Sequence, residues 1–349
     1  MRLLAPAKIN LFLRVGARSL CPGTGDGFHP LVSWMCTVGL FDTLILESRP
    51  AETLVAGLAD AGDSSRNAAI DARPTQAEDC CVSLHCDDPA LPTDGRNLIV
   101  RAAQALAAEP LARLRGDRGE TSPSARRGWF ARDTPSAFIS LTKCIPSGGG
   151  LGGGSSDAAS TLLGLAKLWN LDTSMSKLAE IAARLGSDVP FFLFGPSSIC
   201  TGRGEIVQPI PPPACLGCVL ILPRIAVPTP AVYKRFDELQ AVDSTPPNWS
   251  TPQPWHEWTQ LSALDLLPRL ANDLETPAYD MHPELRRLSD QAATLLDRPV
   301  RMSGSGSSLF TLFDTVSQAE KAANILRERL HIDSIAVTLA PKIADDLAG

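Results

Sequence analysis

The sequence lacks a surplus of positive charge. Its 349 residues carry a formal net charge of −6, with 32 Lys and Arg against 38 Asp and Glu. Because binding along a nucleic-acid backbone needs clustered cations, this balance argues against a general nucleic-acid surface, although local basic residues could serve one small phosphorylated ligand. The 44% apolar and 20% charged content is typical of a soluble globular protein, and the length suits two modest domains.

Long hydrophobic runs are missing as well. No stretch reaches the length of a membrane span, so no membrane partner is expected. Near the N-terminus, Lys8, Asn10 and Arg14 interrupt the apolar residues, and the uninterrupted core of a signal peptide is absent. We therefore expect a cytoplasmic enzyme.

A disulfide framework is not expected, although the chain has nine cysteines. An odd count without an export signal is typical of reduced thiols. Cys215 and Cys218 form one CxxC pair, but a structural zinc site usually needs two such pairs or a pair of histidines at matching spacing. Buried or incidental cysteine is the favoured interpretation, with zinc as the alternative.

Glycine is concentrated in one segment of the chain. Residues 145–159 read IPSGGGLGGGSSDAA and hold six glycines in seven positions. Residues 137–145 are rich in β-branched and apolar residues, which predicts a strand that ends at Pro146. Residues 158–169 carry spaced leucines, which predict a buried amphipathic helix with Ser155, Ser156 and Asp157 as capping types.

The order of strand, glycine loop and helix indicates a phosphate cradle. Glycine permits positive φ and lets a ligand approach backbone N–H groups, while a helix start adds unpaired donors and a partial positive charge. A flexible linker would lack both flanking elements. A Walker A loop needs Lys after its last glycine, whereas Gly154 is followed by Ser155. A dinucleotide site is a poor second choice, because residues 171–185 look helical.

Elsewhere the pattern predicts mixed strands and helices. The first strand, at residues 3–15, should place Lys8 and Asn10 on one face by the period of two. Residues 51–78 have few large apolar residues and residues 111–133 are rich in Arg and Gly, so both are predicted to be surface insertions. The other predicted elements are helices within 94–108 and at 175–185, 261–270, 290–296 and 318–329, strands at 34–47, 219–222, 300–302, 309–313 and 335–339, and a rigid turn at 228–230.

The proline-rich segment 209–213 predicts a domain boundary. We place the first domain at residues 1–210, with the glycine loop, and the second at residues 211–349. The β–β–α–β order near the C-terminus is typical of a small α+β sandwich. The functional site is expected in the cleft between the two domains.

The glycine loop resembles the phosphate-binding loop of the GHMP kinases, a family of small-molecule kinases that includes galactokinase, homoserine kinase and mevalonate kinase. The match lies in Pro146, Gly150, Leu151 and Gly152, and in the Ser-Ser and Ala-Ala pairs that follow. Five further blocks resemble the branch of this family that acts on cytidine diphosphate methylerythritol, and they follow one another in the right order over nearly the full chain. These blocks are APAKINLFL at 5–13, DGFHPL at 26–31, GSDVPFF at 186–192, PTPAVY at 228–233 and SGSGSS at 303–308.

The resemblance implies a fold and an activity. The fold is the α+β, two-domain GHMP kinase fold, with an N-terminal domain like domain 2 of ribosomal protein S5 and a ferredoxin-like C-terminal domain. The implied activity is ATP-dependent phosphorylation of the 2-hydroxyl of the methylerythritol unit, in non-mevalonate isoprenoid precursor biosynthesis. ATP and Mg²⁺ are the implied cofactors, since magnesium neutralises the nucleotide, and Ser156 is the hydroxyl expected near the metal.

The same resemblance implies roles for individual residues. Lys8 and Asp188 would form the catalytic pair, which suits a reaction that needs a carboxylate at the attacking hydroxyl and positive charge beside the transferred group. Phe28 and Tyr233 match positions that sandwich the cytosine ring, and His29 matches the residue that hydrogen-bonds its edge. The other residues implied for the substrate are Asn10, Thr229, Asp273 and again Asp188. Those implied for ATP are Asn97 and Lys143, toward the adenosine, and Pro146, Gly148, Gly149, Gly150, Leu151, Gly152, Gly153, Gly154, Ser155 and Ser156.

Two rival interpretations stay open. One is a GHMP kinase of homoserine or of a mevalonate-type alcohol, against which the block around Phe28 and His29 speaks, because such substrates carry no base to stack. The other is a catalytically silent nucleotide-binding protein, against which the intact Lys8 and Asp188 count. In each case we expect a small-molecule ligand and a monomer or weak homodimer.

Overall fold

The structure is a computed structural model that describes residues 1–18, 27–48, 82–109, 136–240 and 251–347. These segments form two β-sheets, one in each half of the chain, with helices packed against both. The insertions predicted at residues 51–78 and 111–133 lie outside the described residues. The predicted α+β fold class is confirmed by the described elements.

The first sheet is built around one long strand. β1 (Arg2–Val15) and β2 (Leu31–Ser48) pair antiparallel along most of their length, which confirms the strands predicted at 3–15 and 34–47. One half of β2 then pairs with β4 (Ala137–Thr142) and the other half with β5 (Ser197–Thr201). Because β2 changes partner along one edge, the sheet forks there, while β1 pairs along the other edge of β2.

Two short strands complete this sheet. β3 (Val82–Cys86) runs parallel to β4, and β6 (Ile206–Pro209) runs antiparallel to β5. The sequence analysis missed β3, β5 and β6. Each has only four or five residues, too few to establish a period. In addition, β3 and β5 pair with β4 and β2, which lie far along the chain.

Three helices pack on one face of this sheet: α1 (Leu98–Ala108), α2 (Gly153–Leu168) and α3 (Met175–Leu185). The helices predicted within 94–108 and at 175–185 are confirmed. Gly164 lets α2 approach closely, because an added Cβ would lie 2.5 Å from Leu3 Cδ1. The single turn α4 (Phe191–Phe194) follows α3 and precedes β5.

The second sheet has the strand order β10-β7-β9-β8 and is antiparallel throughout. Its strands are β7 (Gly217–Ile221), β8 (Arg301–Met302), β9 (Leu309–Phe313) and β10 (Ser334–Thr338). The β–β–α–β order predicted for the end of the chain is confirmed.

The described residues of the C-terminal half form the α-helices α5 (Thr229–Gln240), α6 (Trp255–Trp258), α7 (Ala263–Leu266), α8 (Glu275–Met281), α9 (Pro283–Leu296) and α10 (Val316–Leu330). α10 connects β9 to β10 and begins with a capping box formed by Thr315 and Gln318. Among the helices that the structure describes, none combines the length and apolar character needed to cross a membrane.

The other face of the first sheet packs against this half of the chain. Ile9 and Trp34 share a buried cluster with Leu220 and Phe310 of the second sheet. The two halves are therefore joined by apolar packing across β1 and β2. The domain boundary placed after residue 210 falls between β6 and β7 and stays a prediction.

Three local predictions were wrong in detail. Ser155, Ser156 and Asp157 lie inside the first turns of α2 rather than at its cap, because Gly152 takes a left-handed conformation and is itself the N-cap. The rigid turn predicted at 228–230 is the start of α5, since proline is well accommodated in the first turn of a helix. The helix predicted at 261–270 is only the single turn α7 followed by a 3₁₀ turn at Leu267–Arg269.

Candidate active site

The glycine loop joins the end of β4 to the start of α2. Gly148, Gly150 and Gly152 have φ values of 75°, 77° and 70°, in the left-handed region that side chains disfavour. No side chain caps the first N–H groups of α2. These donors lie at the positive end of the helix and can bind an anion. The loop therefore has the conformation of a phosphate cradle.

A second loop, residues 303–308 of the C-terminal half, holds the glycine loop in place. The N–H of Ser308 donates to the carbonyl oxygen of Gly149 over 3.1 Å, and the hydroxyl of Ser303 donates to that of Gly150 over 3.0 Å. At Gly150 the approach is so close that an added Cβ would lie 2.3 Å from the carbonyl oxygen of Ser303. A side chain does not fit between the two loops at that point.

Lys8 and Asp188 meet beside this pair of loops. The N–H of Lys8 donates to the carbonyl oxygen of Leu151 over 2.9 Å, and its Nζ lies 3.3 Å from Asp188 Oδ2. The Lys8 side chain passes over Gly152, where an added Cβ would lie 2.9 Å from Lys8 Cγ. The structure thus brings together, at the helix end of the cradle, the two residues that the resemblance pairs. Their catalytic role stays a prediction.

The two members of this pair differ in exposure. Only 3% of the Lys8 side chain is exposed, against 32% for Asp188. Lys8 Nζ donates to Asn10 Oδ1 over 2.5 Å, and the Asn10 amide donates to Ser33 Oγ over 2.8 Å. The expected common face of Lys8 and Asn10 is confirmed. A buried ammonium is costly without such partners, so these contacts fix the cation while the carboxylate can face a substrate.

Asn272 is a buried residue that the sequence analysis missed. Its Nδ2 donates to the carbonyl oxygens of Met302 and Gly304, over 2.9 and 2.8 Å, and its Oδ1 accepts from the N–H of Leu274 over 2.9 Å. Gly304 in turn lies beside Lys8, since an added Cβ would be 3.6 Å from Lys8 Nζ. Asn272 therefore positions the second loop beside Lys8. It belongs to none of the motif blocks, and no local signal pointed to it.

A buried ionic cluster, formed by Lys143, Asp42 and Asp157, joins the two ends of the glycine loop. Lys143 Nζ contacts Asp42 Oδ2 and lies 3.1 Å from Asp157 Oδ2 in α2. Asp42 Oδ1 accepts from the N–H groups of Cys144 and Ile145, over 2.6 and 2.8 Å. The side chains of Lys143, Asp42 and Asp157 are 7%, 0% and 3% exposed. An acid amid the apolar residues of β2 was the signal that could have identified Asp42.

In this ionic cluster two carboxylates share one ammonium. Burial raises the pKa of Asp157 to about 7, with repulsion from Asp42 adding to the shift and attraction by Lys143 opposing it. Burial alone would lower the pKa of Lys143, but the two carboxylates raise it. Because the Lys143 ammonium is already held by two carboxylates, its assignment to ATP stays a prediction.

The residues expected at the base form a second group. Phe28 is 50% exposed, and the guanidinium carbon of Arg203 lies 4.9 Å from the centroid of its ring. The His29 ring lies 5.2 Å from the Tyr233 ring at a tilt of 33°. Burial, with a contribution from the charge of Asp188, raises the pKa of Tyr233 to about 12.

Both nitrogens of His29 face protein oxygens. Nδ1 lies 2.9 Å from the carbonyl oxygen of Gly16 and therefore carries the proton, since a carbonyl only accepts, and Nε2 lies 3.3 Å from Asp237 Oδ1. The ring is thereby fixed against Tyr233, and its role at the base edge stays a prediction. Thr229, at the start of α5, shares a hydrogen bond of 2.7 Å with Ser305 of the second loop, which attaches α5 to the site.

Asn97 and Asp273, which the resemblance assigns to ATP and to the substrate, form hydrogen bonds within the protein. Asn97 is the N-cap of α1: its Oδ1 accepts from the N–H of Ile99 over 2.9 Å and its Nδ2 donates to a neighbouring carbonyl. Asp273 accepts from Arg14 over 2.5 Å and from the N–H of Val15 over 2.9 Å. Because these polar atoms are already partnered, the binding roles of Asn97 and Asp273 stay predictions.

Cys215 and Cys218 are buried free thiols in the apolar cluster between the two halves. Burial raises the pKa of Cys215 to about 12, so the thiol stays protonated at neutral pH. Within the residues that the structure describes, no group of three or more His, Cys, Asp or Glu is arranged to hold a metal ion.

Two family models match the chain. The model of the GHMP kinases N terminal domain matches residues 97–196, and that of the GHMP kinases C terminal matches residues 259–332. Among curated proteins, the chain is 34% identical to a 4-diphosphocytidyl-2-C-methyl-D-erythritol kinase of a Nocardioides species, over 91% of this chain and 90% of that protein. It is 37% identical to the protein of the same name from Rhodococcus jostii, over 81% of this chain and 74% of that protein.

Solved structures give a consistent result. A crystal structure of 4-(cytidine 5'-diphospho)-2C-methyl-D-erythritol kinase matches with a TM-score of 0.65 and 30% identity, covering 98% of this chain and 100% of that one. Homoserine kinase from Cytophaga hutchinsonii matches with a TM-score of 0.59 at 15% identity, covering 99% of this chain and 97% of that one. At that identity the second likeness shows the fold alone.

Proposed function

This chain belongs to the GHMP kinases and, within them, to the 4-diphosphocytidyl-2-C-methyl-D-erythritol kinases, and on that premise we propose how its site works. The enzyme transfers the terminal phosphoryl group of ATP to the 2-hydroxyl of 4-diphosphocytidyl-2-C-methyl-D-erythritol, giving the 2-phosphate, in non-mevalonate isoprenoid precursor biosynthesis. The observation that carries the proposal is the contact of Lys8 with Asp188 beside the glycine loop.

The glycine loop is proposed to hold the triphosphate of ATP. Its left-handed glycines and the uncapped start of α2 supply backbone donors, and the second loop fixes their positions. The other loop residues proposed for ATP, Pro146, Leu151, Gly153, Gly154 and Ser155, lie in the same continuous segment. Such a cradle stabilises negative charge without having to rearrange during the reaction.

Asp188 and Lys8 are proposed to divide the chemistry. The oxygen of the substrate hydroxyl attacks the γ-phosphorus, its proton passes to Asp188, and the bond from the γ-phosphorus to the bridging oxygen breaks, so that ADP leaves with the electron pair. The ammonium of Lys8 lies 3.3 Å from this carboxylate and offsets charge on the transferred group. Asn10 keeps the ammonium in place.

Mg²⁺ is proposed to accompany ATP. The buried hydroxyl of Ser156, in the first turn of α2, has no hydrogen-bond partner among the described residues, which fits a group that meets a ligand of the cradle. Ser156 would hold the ion together with phosphate oxygens, as hard oxygen donors suit magnesium. When bound, the ion neutralises the negative charge of the nucleotide.

The finer properties of the enzyme are proposals as well. A net charge of −6 supports a small-molecule substrate and no binding to nucleic acid. A site assembled from both halves of one chain supports action as a monomer or weak homodimer. Dependence on ATP supports a cytoplasmic location.

Turnover measurements on three alcohols test the proposed function. ATP consumption is followed with 4-diphosphocytidyl-2-C-methyl-D-erythritol, homoserine and mevalonate under identical conditions, and only the first should be phosphorylated. Comparable turnover of homoserine or mevalonate would favour the rival kinases, and ATP binding without turnover of any alcohol would favour a silent nucleotide-binding protein.

A further inference from the structure

The turn between β5 and β6 lies between the two parts of the site. Gly202 and Gly204 have positive φ values of 73° and 118°, which make the turn tight. The carbonyl oxygen of Gly202 accepts from the N–H of Leu31 over 2.8 Å, so the turn is attached to the segment that carries Phe28. An added Cβ on Gly204 would lie 3.4 Å from Ser187, the residue before Asp188.

Arg203 stands at the tip of this turn. Its guanidinium carbon lies 4.9 Å from the centroid of the Phe28 ring, within the range of a cation–π contact. The side chain is 38% exposed, and its nearest carboxylate oxygen, on Glu205, is 3.7 Å from Nε. Glu205 is itself held by the N–H of Arg203 over 2.6 Å. The guanidinium is thus placed by an aromatic ring and keeps donors free of a close ion pair.

The other cations near Phe28 and Asp188 have closer protein partners than the guanidinium of Arg203 has. Arg14 lies 2.5 Å from Asp273 Oδ1, and Arg18 donates to the carbonyl oxygen of Gly27 over 2.5 Å. Lys8 is held by Asn10 and Asp188. The ion pair of Arg203 with Glu205, at 3.7 Å, is longer than those of Arg14 and Lys8, so its guanidinium keeps capacity to bind an anion.

The diphosphate of the substrate is an anion that can reach Arg203. A cytidine diphosphate ester carries the base at one end, the reacting alcohol at the other, and two negatively charged phosphates between them. The turn contacts the segments of both Phe28 and Asp188, so with the base at Phe28 and the alcohol at Asp188 we expect the diphosphate to lie beside this turn. Arginine matches phosphate oxygens with two parallel N–H donors.

We propose that Arg203 binds the diphosphate of the alcohol substrate and that its stacking on Phe28 holds the guanidinium in position for this contact. The inference rests on the proposed function, because it takes the base and the alcohol from that assignment. It adds a substrate-binding residue outside the motif blocks. It also explains why a charged side chain stands at a tight, glycine-bounded turn.

Calorimetric titration with cytidine 5'-diphosphate and with cytidine separates charge recognition from stacking. The variants are Arg203→Gln, which keeps a planar polar group without charge, and Arg203→Lys, which keeps the charge. Arg286→Gln serves as the control, because Arg286 lies exposed on α9 with Asp290 as its ion-pair partner, 3.9 Å away. Thermal unfolding of each variant checks that the fold is retained.

Arg203→Gln should weaken binding of the diphosphate by about tenfold or more, as expected for the loss of a charge-assisted contact, and leave cytidine binding within about twofold. Arg203→Lys should recover part of the loss. In turnover, the KM for the alcohol substrate should rise in the same proportion, while the KM for ATP stays within about twofold of the wild type. Arg286→Gln should change none of these values.

An equal loss for cytidine and its diphosphate would show that Arg203 acts only by supporting Phe28, and unchanged affinity for both would show that it does not contact the ligand. Either result overturns the inference. If the wild-type enzyme neither binds the diphosphate nor phosphorylates the full substrate, the proposed function fails instead, so the two failures are distinguishable.

Discussion

The site has a phosphate side, formed by the glycine loop, and an alcohol side, formed by Phe28 and Arg203, and the two differ in how many protein contacts fix them. On the phosphate side the glycine loop is fixed by hydrogen bonds from residues 303–308 and by the buried ionic cluster of Lys143, Asp42 and Asp157. On the alcohol side Phe28 is half exposed and Arg203 has no close ion pair.

The two sides differ because each binds a different part of the reacting molecules. The triphosphate receives charge that develops during the reaction, and donors that are fixed beforehand stabilise such charge most effectively. The alcohol side has to admit a long substrate and can adjust its side chains as the substrate binds. Changes on the phosphate side should therefore cost fold stability, whereas changes on the alcohol side should cost substrate affinity.

The largest loss of stability is expected for Lys143→Met. The change leaves Asp42 and Asp157 buried without their cation, and breaking a buried ion pair costs about 3–5 kcal/mol. The free energy of unfolding is measured by urea titration. Lys177→Met is the matched control, because the Lys177 pairs with Glu109 and Glu180 are more open to solvent and should cost only about 0–1 kcal/mol. Equal losses in the two variants would contradict the buried role of Lys143.

The next largest loss in the free energy of unfolding is expected for Gly150→Ala. The left-handed backbone costs about 1–2 kcal/mol and the clash with the carbonyl oxygen of Ser303 adds about 1–3 kcal/mol. Gly148→Ala is a sharp control, because Gly148 has nearly the same φ but an added Cβ would meet nothing within 4 Å. Urea titration should show a loss for Gly150→Ala that exceeds the loss for Gly148→Ala. Indistinguishable losses would mean that the second loop does not brace the first.

The sequence predicts the glycine loop, but it does not predict the long-range contacts that Lys143→Met and Gly150→Ala disturb. The cradle was predictable because a strand, a glycine run and an apolar helix adjoin one another, and the common face of Lys8 and Asn10 followed from strand period alone. The contact of Gly150 with Ser303 and the buried partners of Lys143 join segments far apart in the chain, so no local pattern contains them.

The same limit explains the errors. Pro230 favoured a turn by its type, but tertiary packing continues the chain into α5, where proline suits the first turn. Ser155 and Ser156 are capping types, yet Gly152 takes the cap because it adopts a left-handed conformation, as Gly148 and Gly150 also do. Arg203 belonged to no motif, and its position beside Phe28 follows only from the pairing of β2 with β5.

A moderate, pH-dependent effect is expected for Asp157→Asn. The pKa of Asp157 is raised from 3.8 to about 7 in the folded protein, mainly by burial, next to Asp42 and Lys143. The folded protein binds the carboxyl proton of Asp157 more tightly than the unfolded chain does. The stability that this proton adds is complete below pH 3.8 and is lost as the pH rises to about 7. Asparagine cannot ionise, so the stability of the variant relative to the wild type should rise between pH 3.8 and about pH 7. Parallel stability curves over this range would contradict the raised pKa of Asp157.

The smallest effect on stability is expected for Phe28→Ala. Because half of the ring is exposed, the free energy of unfolding should change by less than about 1 kcal/mol. Loss of base stacking, worth about 1–3 kcal/mol, should instead raise the KM for the alcohol substrate. Phe28→Tyr keeps the ring and serves as the control. A large loss of stability with unchanged KM would reverse the comparison between the two sides.

The most direct measurement compares Asp188→Asn with the wild type in a single-turnover assay and in ATP binding. Asparagine keeps the shape of the side chain but cannot take the proton, so the rate of phosphoryl transfer should fall by about 10²–10⁴-fold. The affinity for ATP should stay within about threefold, since the cradle is braced independently of Asp188. A variant that transfers phosphate at nearly the wild-type rate would contradict the central claim that Asp188 and Lys8 act together on the group held by the glycine loop.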